Sequence, residues 1–152
     1  MVVQFICRGN AFRSIIAETY LNSLRIPGVT VLSSGTVGGA HKDSNAESFS
    51  EVVALLRQHG TGQYMKGDYG DDVSQDLLDR SDVVICLNKR IYNELASSYV
   101  LPQKTYVWDI TDMGEAKHVP ITEQERTYFL ETTYQKITAD VDAFVVSQNV
   151  QS

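Results

Sequence analysis

A thiol, a guanidinium and a hydroxyl stand close together near the start of the 152-residue chain, in the run Cys7-Arg8-Gly9-Asn10-Ala11-Phe12-Arg13-Ser14. The loop between Cys7 and Arg13 is short enough to curl around one small anion. Backbone N–H groups in such a loop, with a helix N-terminus behind them, converge on a tetrahedral oxyanion, and Arg13 offers a planar fork to two of its oxygens. Gly9 and Asn10 are the residue types that best tolerate the positive φ such a nest needs. A positive setting of this kind favours the thiolate. Cys7 is then placed for in-line attack on phosphorus and a phosphocysteine intermediate. Arg13 and the loop from Arg8 through Gly9, Asn10, Ala11 and Phe12 to Ser14 would bind the phosphoryl oxygens in the transition state. The Ser14 hydroxyl would assist the sulfur as a leaving group. A cysteine alone reads as a buried residue ending a strand; its placement with Gly9, Asn10, Arg13 and Ser14 favours chemistry.

The elements around the loop follow from periodicity. Val2 to Cys7 is a β-rich run too short for a helix. Ile16, Ala17, Tyr20, Leu21 and Leu24 fall on one helical face, with Ser14 expected to cap that helix. Pro27-Gly28 ends the unit, and Val29 to Ser33 reads as a second strand. Ser44 and Glu47 form a capping-box pattern ahead of Phe49, Val52, Val53 and Leu56, with Gly60 at the stop. Gly62 to Asp72 reads as an irregular surface connection, followed by a short helix from Ser74 to Arg80. Asp82 to Leu87 is a nearly continuous apolar run, the pattern of a strand buried on both faces. Lys89 to Tyr99 suits a helix and Lys104 to Trp108 a last strand. Thr122 with Glu125 predicts the cap of a long helix whose core face is Leu130, Tyr134, Ile137, Val141 and Phe144. Strands alternating with helices imply an α/β fold: a three-layer open parallel sheet of about four strands, helices on both faces, with the phosphate loop after strand one. Ligands of such sheets bind at the C-terminal strand ends, and Cys7 is one of them.

Composition narrows the setting. The length suits one domain over residues 1–152. Thirteen basic against nineteen acidic residues leave a net charge of −6, with no basic cluster, so nucleic acid is an unexpected partner. The early apolar run, interrupted by Gln4, is far shorter than a membrane span or export signal. Cys7 and Cys86 lack metal or disulfide spacing, so no metal and no cofactor are expected, and a reducing cytoplasm suits both thiols.

These residues give the sequence its resemblance to the low-molecular-weight protein-tyrosine phosphatases, whose loop follows C-x5-R-S directly after an N-terminal strand. Ala17-Glu18 after the loop, Ser33-Ser34-Gly35-Thr36 after strand two and the buried strand from Asp82 to Leu87 extend the likeness over essentially the whole chain. The resemblance implies a phosphorylated protein or small phosphomonoester as substrate, and a monomer or weak dimer. Leaving-group oxygen needs a proton donor opposite the sulfur, and the family supplies an Asp between the last strand and last helix. Two aspartates, Asp109 and Asp112, compete for that role. Ile110, two positions before Asp112, matches the apolar residue that commonly precedes the family's acid, which favours Asp112. Asn10 and Ser33 are expected to hydrogen-bond each other and hold the loop.

The sequence also departs from the family. Met113 replaces the Pro after the acid, and the following tyrosines that flank the substrate ring are absent. His41, Tyr69 and Trp108 are candidates for the missing wall. Phe12 stands where some members carry a second loop cysteine, and Ile15 replaces a Pro. The region of the His that supports the loop Asn reads Lys66-Gly67-Asp68-Tyr69-Gly70-Asp71-Asp72, whose carboxylates would repel acidic phosphopeptides if they lay at the mouth. Two other readings share the scaffold: an arsenate reductase using an external thiol, and a phosphocysteine carrier or phosphate-binding protein.

Overall fold

The computed structural model describes residues 1–148. Four parallel strands, β1 (Val2–Cys7), β2 (Thr30–Gly35), β3 (Val83–Cys86) and β4 (Thr105–Val107), lie in the order β2-β1-β3-β4. The register is continuous across the centre, with Phe5 opposite Ser33 on one side and Ile85 on the other. β1 and β3 are buried almost throughout, as their unbroken apolar runs require. β4 is a short, half-exposed edge.

Helices α1 (Arg13–Ser23), α2 (Ala46–Gln58) and α5 (Glu123–Ser147) cover one face of the sheet. There Val3, Phe5 and Ile85 pack with Ile16, Leu56, Ile137 and Val141. Helices α3 (Gln75–Asp79) and α4 (Lys89–Ser98) cover the other face, where Ile6, Val84 and Cys86 meet Leu78, Ile91 and Leu95. The three-layer arrangement expected from the alternation is the one observed. Because β1 has neighbours on both sides, the segments leaving its C-terminal end and those of β2 and β4 open into one crevice.

Two helix starts differ from the sequence expectation. Phe12, not Ser14, precedes the first helical residue and makes no side-chain cap. The helix begins two residues before a Ser14 cap would start it, so Ser14 lies inside the first turn. The Ser44/Glu47 capping box does not form either: Asn45 precedes α2 with φ −95° and ψ 2°, and Ser44 Oγ donates to the His41 carbonyl. A capping box needs an extended residue at the cap. Here residues before α2 already turn, with the Asn45 N–H bonded to the His41 carbonyl. α1 is buried nearly all round over its first two turns rather than on one stripe. Gly62 to Asp72 carries a single 3-10 turn, Gly62–Tyr64.

The α5 cap forms as expected. Thr122 Oγ1 accepts from the Glu125 N–H at 3.1 Å, and Glu125 Oε1 accepts from the Thr122 N–H at 3.0 Å. These bonds, with His118 on the other carboxylate oxygen, hold the Glu125 carboxyl down at about 2 against its ordinary 4.5. A depressed carboxyl contributes stability that is complete above the unfolded value and is lost as pH falls through the folded one. The urea midpoint of the wild type is therefore expected to fall more steeply between pH 4.5 and about 2 than that of Glu125→Gln. Thr122→Ala is expected to cost about 1 kcal/mol at neutral pH, and an unchanged midpoint would show the box to be idle.

Candidate active site

Cys7 ends β1 and is 2% exposed, at the floor of a cleft that also includes Arg13, His41, Asp112 and Met113. From it the chain turns through Asn10, whose φ of 50° lies in the left-handed region. The Asn10 N–H donates to Cys7 Sγ at 3.3 Å. The amides of Gly9, Ala11, Phe12 and Arg13 donate to no protein acceptor among the described residues, as an oxyanion nest requires. α1 then begins at Arg13, which adds its dipole.

Two glycines set how closely the backbone packs around this turn. A Cβ on Gly35 would lie 2.4 Å from the Arg8 carbonyl oxygen and 2.9 Å from the Asn10 nitrogen. Both are main-chain atoms of the loop and have little freedom to retreat. A Cβ on Gly9 would meet the Asn45 side chain at 2.3 Å, so the start of α2 lies directly over the loop.

Arg13 is 1% exposed. Its Nη1 donates to the Ile110 carbonyl at 3.0 Å, and its Nη2 stands 4.0 Å from Asp112 Oδ2. The segment after β4 thus fixes the guanidinium by one backbone bond and delivers a carboxylate to the mouth. Asp112 also accepts from the Met113 N–H, which orients it. Asp109 lies in a separate surface hollow with Thr132 and Lys136. Of the two aspartates, only Asp112 reaches the cleft.

Hydrogen bonds run behind the sulfur. Ser14 Oγ is 3.0 Å from Cys7 Sγ. Asn10 Nδ2 donates to Ser14 Oγ and to Ser33 Oγ, both at 2.9 Å, which is the Asn10–Ser33 pairing expected from the sequence. Ser33 Oγ passes its own proton to Glu18 at 2.8 Å. Burial raises the Glu18 carboxyl, while Lys66 and the Ser33 bond pull it back. Neither Glu18 nor Lys66 was legible as a site residue. Lys66 Nζ donates to Asn10 Oδ1 at 2.7 Å from far along the chain, and no local motif signals it. The Glu18 signal was a carboxylate five residues after Arg13 on the inner side of a buried helix.

The proposed wall residues separate. His41 lines the cleft. Tyr69 instead stacks on Phe49 with centroids 4.1 Å apart, and Trp108 packs on Phe5. Each carboxylate of the acidic run has a partner within the chain: Asp68 pairs with Lys42, Asp71 with Lys66, and Asp72 accepts from the Gly39 N–H. The first and last of these contacts tie the 66–72 connection to the segment before α2.

A strand-end cysteine, an amide-lined turn and a buried arginine on a doubly wound sheet define a phosphate-loop protein. The chain belongs to the low molecular weight phosphotyrosine protein phosphatase family, whose model matches residues 2–151. No curated protein matches the sequence. Among solved structures, the low molecular weight protein tyrosine phosphatase of T. tengcongensis shares the fold at a TM-score of 0.70 and 18% identity, over 97% of this chain and 99% of that one. The Drosophila arginine phosphatase aligns at 0.69 and 22%, over 97% and 98%. A thioredoxin-dependent arsenate reductase of Corynebacterium glutamicum aligns at 0.62 and 21%, over 96% of this chain and 60% of its own.

Gly35→Ala is expected to force the loop open and weaken inhibition by inorganic phosphate at least about tenfold, the effect of losing one or two charge-assisted hydrogen bonds. Unchanged phosphate inhibition in a folded Gly35→Ala protein would show that the loop does not need this close approach.

Proposed function

We propose that the protein hydrolyses phosphate monoesters, with phosphotyrosine in protein as the substrate class of its family, through a phosphocysteine on Cys7. The single observation carrying this reading is the convergence of Cys7, the amides free of protein acceptors and the buried Arg13 on one cleft, with Asp112 at its mouth. The thiolate attacks phosphorus and the leaving oxygen departs with a proton from Asp112; the same carboxylate then takes a proton from water as it attacks the phosphocysteine and expels the sulfur. Arg13 and the loop amides bear the charge on the equatorial oxygens. Ser14 donates to the departing sulfur. No cofactor enters these steps.

The aromatic side of the cleft is thin. Phe12 and His41 are its ring-bearing residues among those described, so binding energy comes chiefly from the phosphate. Among the described residues no helix is long and apolar enough to cross a membrane. A reducing compartment such as the cytoplasm would keep Cys7 a free thiol. The arsenate-reductase reading gains nothing from Cys86. That thiol is fully buried on the opposite face of the sheet from the Cys7 cluster, and burial pushes it up to about 12.

Cys7→Ser is expected to abolish turnover of p-nitrophenyl phosphate while inorganic phosphate still protects the protein from heat. Asp112→Ala is expected to slow an unactivated phenyl phosphate by about 10²-fold or more, within the range of general-acid contributions, and an activated aryl phosphate by far less. Equal loss on both would remove Asp112 from the mechanism. Arsenate-dependent thiol oxidation without ester hydrolysis, or a stable phosphoenzyme without turnover, would replace the phosphatase reading by a reductase or a carrier.

A further inference from the structure

We infer that the Arg8 side chain is a specificity determinant, a second anion-binding position at the mouth of the cleft that receives an acidic side chain flanking the phosphorylated residue of a peptide. The inference rests on the phosphatase reading and names the kind of phosphopeptide that reading would serve.

The charges around the cleft single this side chain out. Two arginines line it, Arg13 and Arg8. Arg13 is buried, held by the Ile110 carbonyl, and serves the phosphate. Each carboxylate at or beside the mouth has a cation other than Arg8. Asp112 stands by Arg13, Glu51 accepts two bonds from Arg126, and Glu94 and Glu115 share Arg90. Arg8 is the surplus cation. Its side chain is 35% exposed, and among the described residues its ion pairing amounts to one loose 3.8 Å contact with Glu94, too long for a hydrogen bond.

Glu94 marks what that guanidinium takes. The same carboxylate oxygen, Oε1, accepts a closer bond from Arg90 Nε, at 3.3 Å, four residues earlier on α4. Glu94 can therefore release Arg8 without being left unpaired. A substrate carboxylate that meets the guanidinium face to face gains the bidentate pair that the resident contact lacks. That carboxylate is tethered to a phosphate already seated in the loop, so its contact is intramolecular and carries little further association cost. The guanidinium turns toward α4, which covers the opposite face of the sheet from α2, and so away from Glu51 in the α2 wall.

The test uses the whole chain and two phosphotyrosine peptides that differ only in carrying aspartate or asparagine on both sides of the phosphotyrosine. The readout is the ratio of kcat/KM, aspartate over asparagine peptide, at low and at high salt. The same ratio is read from the Kd values of both peptides with a non-hydrolysable phosphonate in place of the phosphate. The wild type is expected to favour the aspartate peptide about fivefold at low salt, the scale of a partly exposed ion pair, and less at high salt. Arg8→Met is expected to bring the ratio to one or below, and Arg8→Lys to keep part of it, since an ammonium retains the charge without the fork. Glu94→Gln is expected to raise the ratio by freeing Arg8, whereas Glu123→Gln, an equal loss of charge away from Arg8, leaves it unchanged. A wild-type ratio of one, a ratio preserved in Arg8→Met, or equal ratios in Glu94→Gln and Glu123→Gln overturns the inference. Should Arg8→Met not fold, the two glutamine variants decide. Ester hydrolysis with ratios of one sinks this inference alone. Phosphonate binding with the expected ratio but no hydrolysis sinks the phosphatase reading alone, and failure to bind either peptide sinks both.

Discussion

The left-handed turn at Asn10 is the constraint on which the site depends. A non-glycine residue in that region costs on the order of 1–2 kcal/mol, and the cost is offset because each polar atom of Asn10 finds a partner within the molecule. The turn reverses the chain between β1 and α1, folds the main chain around the space above Cys7 and brings Arg13 into the same space. Glycine at 35 lets β2 approach that turn closely enough to keep its shape.

The sheet order explains why so many distant residues meet there. With β1 between β2 and β3, the loop leaving β1 has Ser33 and Gly35 on one flank, while the segment following β4 crosses to place Ile110 and Asp112 against Arg13. The 66–72 connection closes the back. A buried arginine would be costly without partners; here the Ile110 carbonyl and the nearby Asp112 carboxylate supply them. The floor of the site is thus backbone and buried side chains, and His41 with the start of α2 forms part of its rim.

Much of this was legible in the sequence, for identifiable reasons. Strands β1 and β3 announce themselves because burial on both faces demands continuous apolar runs, and the Cys7–Ser14 segment carries its chemistry in residue types. The α5 cap was legible because Thr122 follows an extended entry. The Ser14 and Ser44 caps were not, because capping depends on the conformation of the preceding chain, which the loop and the turns before α2 dictate. The sequence marks Lys66 only as part of a surface connection; its place beneath Asn10 is a contact across 56 positions. For Tyr69 and Trp108 the sequence leaves a wall role open beside the more ordinary structural one, and packing on Phe49 and Phe5 decides for the structural one. In the sequence only the family likeness favours Asp112, and the physical distinction from Asp109 lies in its approach to Arg13.

Phe12 packs against Phe129 in the loop, with ring centroids 6.2 Å apart, where a second thiol would stand in some relatives. The chain's other sulfur, Cys86, lies across the sheet. Peroxide that turns Cys7 into a sulfenic acid therefore meets no resolving cysteine within the molecule. Recovery falls to a thiol from outside, and without one the damage proceeds to sulfinic acid. Survival under oxidative stress is, for this protein, set by its surroundings.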